Sequence, residues 1–222
     1  MLLDPGMVTW ARVVLLQDRP RRYELVQAYR IMTTVQPQVY RPRLARALGD
    51  LVDGFTAAAP ADAVEALLAE ATTNLLAWAR ELTRTSPDIV TEVVTRQRRR
   101  RALDDGPAWD LLAVAVALEE AGRAGAALTV TQELIAVERG RRAVPRSRLA
   151  LALIHCAGIL RRRERSYDAE PLRNEGLRLL DEPDRPRSNA IAAMLTGTPL
   201  PAVARKAPRG VPGTSRTPAA SR

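Results

Sequence analysis

Residues 42–55, PRLARALGDLVDGF, decide how the rest of the chain is read. Leu44, Leu48, Leu51, Val52 and Phe55 stand at i, i+4, i+7, i+8 and i+11, one face of a helix with no period-two alternation in it. Pro42 suits the first turn of that helix, where the N–H that proline lacks would have no partner. The device is repeated at once. Pro60 opens a stripe of Val64, Leu67, Leu68, Ala71, Leu75, Trp78 and Leu82, and Ser86-Pro87 then ends that helix and caps another, with Val90, Val93 and Val94 facing inward.

Working outward, the same periodicity predicts helices over 7–17, 21–35, 107–121, 124–139, 145–162 and 168–181, and no strand pair stands out between them. Composition agrees: 46% of residues are hydrophobic but only 4% aromatic, and the dominant Ala, Leu and Arg are strong helix formers where a sheet would need more aromatic and β-branched residues. After Pro183 a short helix is expected within 188–195, around Ile191 to Leu195. The remainder, 196–222, is rich in Pro, Gly, Ser and Thr and holds too few large apolar side chains to offset the entropy of ordering it. The expected fold class is therefore all-α, with a helical-repeat domain over 1–183 and a basic, largely disordered tail over 184–222.

Leu-Ala-x-Ala-Leu occurs twice, at 44–48 and 149–153, each time shortly after a proline (Pro42, Pro145) and an amphipathic helix. Trp10 and Tyr23 have the spacing of an early tryptophan and a later turn tyrosine. Leu48-Gly49 supplies a small residue for close helix contact, Gly122 stands five residues before Ala127, and Gly158 stands nine before Tyr167, with Pro183 near a closing position. In these features the chain resembles the tetratricopeptide-repeat (TPR) proteins, over about residues 8–183. The resemblance implies helix hairpins stacked into an α-solenoid that presents a concave surface to a peptide or helix of a partner. Three features depart from it. Arg30 takes the place of a large apolar residue, Glu170 that of a small one, and the intervals exceed the usual ~34 residues. An irregular helical bundle is the alternative architecture.

The net charge of +9 suggests a nucleic-acid partner until it is divided along the chain. All 25 acidic residues lie at or before Asp184, against 27 arginines there, a net of +2. Residues 185–222 carry seven basic residues and no acid, among them Arg205, Lys206 and Arg209. The densest basic run is RQRRRR at 96–101. Arg96, Arg98, Arg99, Arg100 and Arg101 point to every side of a helix turning about 100° per residue, so this turn is a helix end rather than a buried segment. Arginines in a last turn complement the helix dipole without any ligand. They also fall in an insertion, since Pro87 to Gly122 spans 35 residues where Pro145 to Tyr167 spans 22. Insertions in solenoids often bind something, which makes these five arginines the candidate anion- or partner-binding site and Arg205, Lys206 and Arg209 the candidate basic tail. Arg161 to Arg163 with Arg165, and the arginines around Gly140, are expected to be solvated faces.

Little else carries chemistry. His155 and Cys156 are the only residues of their types, so a metal site and a disulfide are not expected, and helix neighbours about 100° apart cannot form a Cys-His pair. Asp104-Asp105 and Glu119-Glu120 are consecutive acids at helix ends, not carboxylates converging from different elements. No phosphate loop and no H-E-x-x-H is present. Trp10, Trp78 and Trp109 are expected as core anchors. The lone cysteine, a start lacking a basic n-region, and a longest apolar run of only LLAVAVAL at 111–118 point to a cytoplasmic protein that neither enters nor spans a membrane.

The functional expectation is a non-enzymatic adaptor or regulatory module without a cofactor, binding a protein or peptide partner. The alternative is a nucleic-acid-associated regulator that uses the arginine insertion and the basic tail. The sequence leaves the oligomeric state open. Removal of 196–222 is expected to leave thermal melting nearly unchanged, and loss of cooperative melting on that truncation would contradict the tail boundary.

Overall fold

The computed structural model describes residues 4–55, 59–101, 108–141, 146–180 and 189–198. Among these, ten helices and no strands are found: α1 (Pro5–Leu15), α2 (Arg22–Val35), α3 (Pro37–Asp53), α4 (Ala61–Thr85), α5 (Ile89–Arg101), α6 (Trp109–Glu120), α7 (Ala124–Arg139), α8 (Arg146–Arg162), α9 (Ser166–Leu180) and α10 (Asn189–Thr196). The all-α class is as the periodicity predicts. The tail expected to be disordered lies, from 199 onward, outside the described residues, and with it Arg205, Lys206 and Arg209.

Local chemistry explains most boundaries. Asp4 caps α1, its Oδ1 accepting from the Gly6 N–H at 2.8 Å, and Pro5 takes the first helical position. Between α6 and α7, Gly122 adopts a positive φ of 73° while the Arg123 N–H bonds the Leu118 carbonyl at 2.8 Å, closing the helix end as only a left-handed residue allows. The role expected of Pro42 is corrected. α3 already starts at Pro37, which takes the first-turn position, and Pro42 lies inside the helix, at the expense of one backbone hydrogen bond.

The main core runs from Val26 on α2 to Leu195 on α10. At its centre α6 is buried nearly all round, with Leu111, Leu112, Val114, Ala115 and Leu118 all inside. Chain neighbours pack in pairs: α1 on α2, α2 on α3, α3 on α4, α6 on α7, α7 on α8 and α8 on α9. Across them α4 packs on α6 and α5 on α7, while α10 lies against α4, α6 and α8. The short helix expected after Pro183 is thus part of the packed body, with Ile191, Ala192, Ala193 and Leu195 buried. A second, small cluster of Ala11, Val14, Ala28 and Met32 joins α1 to α2.

Trp78 and Trp109 are core anchors, as expected, but Trp10 is not: it is 42% exposed. α1 uses Ala11 and Val14 toward α2, which turns Trp10, with Met7, Val13 and Leu16, outward. Tyr23 and Tyr167 are also exposed, Tyr167 to 92%. The small residue at the start of α9 that enters the core is Ala169, one position before the exposed Glu170.

Close helix approach falls at two glycines. A Cβ on Gly49 would stand 2.5 Å from the Trp109 ring and 3.4 Å from Ile191, and one on Gly176 would stand 2.8 Å from Ile154 and 2.9 Å from the Ala150 carbonyl. At Gly158 the nearest atoms belong to the flexible side chain of Arg162 on the same helix. Gly49→Leu is therefore expected to cost about 1–3 kcal/mol by overpacking, whereas Gly158→Ala should be neutral or add about 0.5–1 kcal/mol through helix propensity. Urea denaturation of the two variants checks both, and a neutral Gly49→Leu would contradict the packing.

Candidate functional site

The arginine run closes α5. Arg96 lies one turn from Glu92 and pairs with it at 2.7 Å. Arg98 reaches across to α7, where Nε and Nη2 donate to the two carboxylate oxygens of Glu133 at 2.9 and 3.0 Å. Arg99 is exposed. Arg100 and Arg101 belong to α5, and the surroundings of their side chains lie outside the described residues. Two of the five candidate arginines are thus engaged by carboxylates of the protein itself, and an incoming phosphate would have to displace those.

The Arg98–Glu133 fork is one of a series. Arg30 on α2 forks onto Glu70 on α4, and Arg80 on α4 onto Glu120 on α6. Arg139 on α7 donates to Glu175 on α9, and Arg162 on α8 pairs with Glu119 on α6. Four of these partners are 35 to 40 residues apart in sequence. In each case the two helices are two apart in chain order. The hydrogen bond to Glu70 raises the pKa of Arg30, that to Glu120 raises Arg80, and that to Glu133 raises Arg98; the same bond from Arg80 lowers Glu120. Most of these side chains are a third or more exposed, so each pair adds little to stability. Their geometry nevertheless specifies which helices lie side by side.

At the α6–α8 contact, His155 Nε2 stands 3.8 Å from Glu119, whose other oxygen holds Arg162. Burial, with the Arg162 charge adding to it, pushes the His155 imidazole down to about 4. The ring is therefore neutral at physiological pH, and the His155–Glu119 approach is not an ion pair. Burial also pushes the Cys156 thiol up, which disfavours the nucleophilic thiolate. No cluster of His, Cys, Asp or Glu that could hold a metal is found among the described residues.

Besides a small pocket of about 210 Å³ lined by Arg22, Leu25, Ala47, Asp50 and Asp53, two features remain. A groove of about 610 Å³ lies between α7, α8 and α9, lined by Ile135, Arg139, Cys156, Leu160, Tyr167 and Leu172 among others. Its arginines are engaged, Arg139 by Glu175 and Arg165 by Asp168. The other feature is the apolar face of α4, α6 and α8 on which α10 is seated. The sequence signalled neither the ion-pair series nor this seat, because both depend on pairings between helices distant in the chain. No described helix is long and apolar enough to cross a membrane. No protein-family model, no curated protein and no solved structure matches the chain.

The neutral His155 makes stability depend on pH. Its folded pKa lies below its unfolded one, so between pH 6.5 and about 4 the unfolded chain binds a proton that the folded one does not. Stability is therefore expected to fall by about 2–3 kcal/mol over that window. In His155→Gln this loss should be absent, leaving only the acid loss of carboxylates with lowered pKa such as Glu120, which begins below about pH 4.5. Chemical denaturation at pH 7, 5.5 and 4.5 distinguishes the two curves.

Proposed function

We propose that this chain is a non-enzymatic, TPR-like stack of helix hairpins, an α-solenoid scaffold that holds a protein or peptide partner in the cytoplasm. The observation that carries the proposal is the Arg–Glu series. Its pairs join α2 to α4, α4 to α6 and α6 to α8 in one row, and α5 to α7 and α7 to α9 in another. From α1 to α9, chain neighbours other than α4 and α5 pack on one another, and α4 packs on α6 and α5 on α7. Such i-to-i+2 ties alongside neighbour packing are what stacked hairpins would give. Such stacks use the face of one row to hold a helix or extended peptide, and α10 against α4, α6 and α8 is a helix in that position.

The engagement of Arg96 and Arg98 by Glu92 and Glu133 favours the scaffold over the nucleic-acid alternative. Substitution of Arg96, Arg98 and Arg99 by Gln in the full chain is expected to change duplex-DNA affinity by less than about threefold. Each lost phosphate contact would flatten the plot of log affinity against log salt by about 0.9. Fluorescence anisotropy at three salt concentrations measures this, and a flattening of two or more would sink the scaffold reading in favour of the alternative. Recovery of a protein partner from the native host after nuclease treatment is the corresponding positive result.

A further inference from the structure

α10 behaves differently from the nine helices before it. Except for α5, which packs on α7 and α6, those helices have a chain neighbour as their main partner, whereas α10 lies against α4, α6 and α8, each from a different hairpin. It is eight residues long, a length at which an isolated helix does not form in water, so its folding and its seating are one event. It seats Ile191 and Leu195, one turn apart, with Ala192 and Ala193 between them, and leaves Met194 outside. Ile191 reaches Gly49, where the absence of a side chain leaves room beside the Trp109 ring.

What holds it is also different. No residue from Ala190 to Thr196 is charged, so no ion pair can tie this segment to a body whose rows are tied by arginine–carboxylate forks. Among the described residues, the polar side-chain contact from the body to α10 is Thr72 Oγ1 to Met194 Sδ at 3.9 Å, a weak one. Two large apolar side chains and two alanines, set against the ordering of the whole segment, leave a small surplus for docking. A segment of that kind opens on its own, well below the free energy of global unfolding. Tethering to α9 through residues 181–188 raises its local concentration at the seat and so keeps it in place.

We propose that the α4–α6–α8 face is a helix-binding groove, that α10 is its tethered internal occupant, and that its external ligand is a short uncharged helix of a partner protein. That ligand carries Ile or Leu at i and i+4 with alanines between, in the helix-in-groove mode of recognition. The proposal rests on the scaffold reading and deepens it by naming the partner's chemistry and the segment it must displace.

The probe is the synthetic peptide of residues 188–198, SNAIAAMLTGT, labelled with a fluorophore. It is titrated into the full-length protein and into a full-length Ile191→Glu/Leu195→Glu variant whose own α10 cannot seat. Binding to the variant is expected to be at least tenfold tighter than to the wild type, and Ile191→Glu within the peptide should abolish it. Equal or absent binding, with the variant's circular dichroism retained, overturns the proposal. Hydrogen exchange on the wild type guards against a variant that does not fold. Amides of 189–198 should exchange at least tenfold sooner than those of α6 and α8, and exchange in step with them overturns the proposal whatever the peptide does. Failure of the peptide in a folded variant bears on the groove alone, since the scaffold reading stands or falls on the nuclease and salt experiments.

Discussion

A helix that is apolar around its whole circumference must be surrounded, and in this protein that helix is α6. Between Asp110 in its first turn and its closing acids, WDLLAVAVALEE carries no polar side chain from Leu111 to Leu118, so no orientation of those two turns at a surface is acceptable. α4, α7, α5 and α10 pack around it, and Arg162 of α8 binds the carboxylate of Glu119 at its end. Much of the remaining architecture is a set of answers to this requirement. α4 is long enough, at 25 residues, to serve α3 on one side and α6 on the other. The chain returns after α9 to lay α10 over what is left open.

Burial specifies that α6 is covered but does little to specify how, because apolar contact is non-directional. Direction comes from the guanidinium–carboxylate forks. Each adds little stability at its exposure, yet a bidentate fork is satisfied in only one relative placement of two helices. A chain whose basic residues are nearly all arginine is well supplied for this, since a lysine ammonium could not make the paired geometry. Several of the arginines that look from the sequence like a reservoir of charge for nucleic acid, Arg30, Arg80, Arg98, Arg139 and Arg162, are joints between helices. Arg30 shows the exchange most plainly: at a position where a large apolar residue was expected, it binds Glu70 instead.

Local periodicity made the helices legible, and most ends lie within two or three residues of where prolines, glycines and caps place them. Errors arose where two signals competed. Pro37 and Pro42 both fit a first turn, and nothing local ranks them. Trp10 reads as an anchor by type, but which face of α1 is buried depends on α2 being the helix it chiefly packs on. Ala169 and Glu170 are adjacent, and a spacing rule cannot tell which enters the core when a one-residue offset is involved. The pairing of Arg98 with Glu133, or the seating of Ile191 beside Gly49, joins residues far apart in the chain, and no single sequence encodes such distances in its spacing. The five arginines are therefore visible as a cluster, and Glu92, four residues before Arg96, lies within reach of local spacing, while Glu133, 35 residues from Arg98, does not.

The tryptophans carry a consequence of the split between the two apolar clusters. Trp78 and Trp109 lie in the main core, and Trp10 stands outside on α1, which belongs to the small cluster with α2. The intrinsic emission of the protein is thus a sum of two colours, a blue component from two sheltered indoles and a redder one from the partly exposed indole of Trp10. Fluorescence-detected unfolding is weighted toward the main core. Release of the N-terminal helix from α2 changes the environment of one half-covered indole only, so the optical and the hydrodynamic transitions of this protein need not coincide.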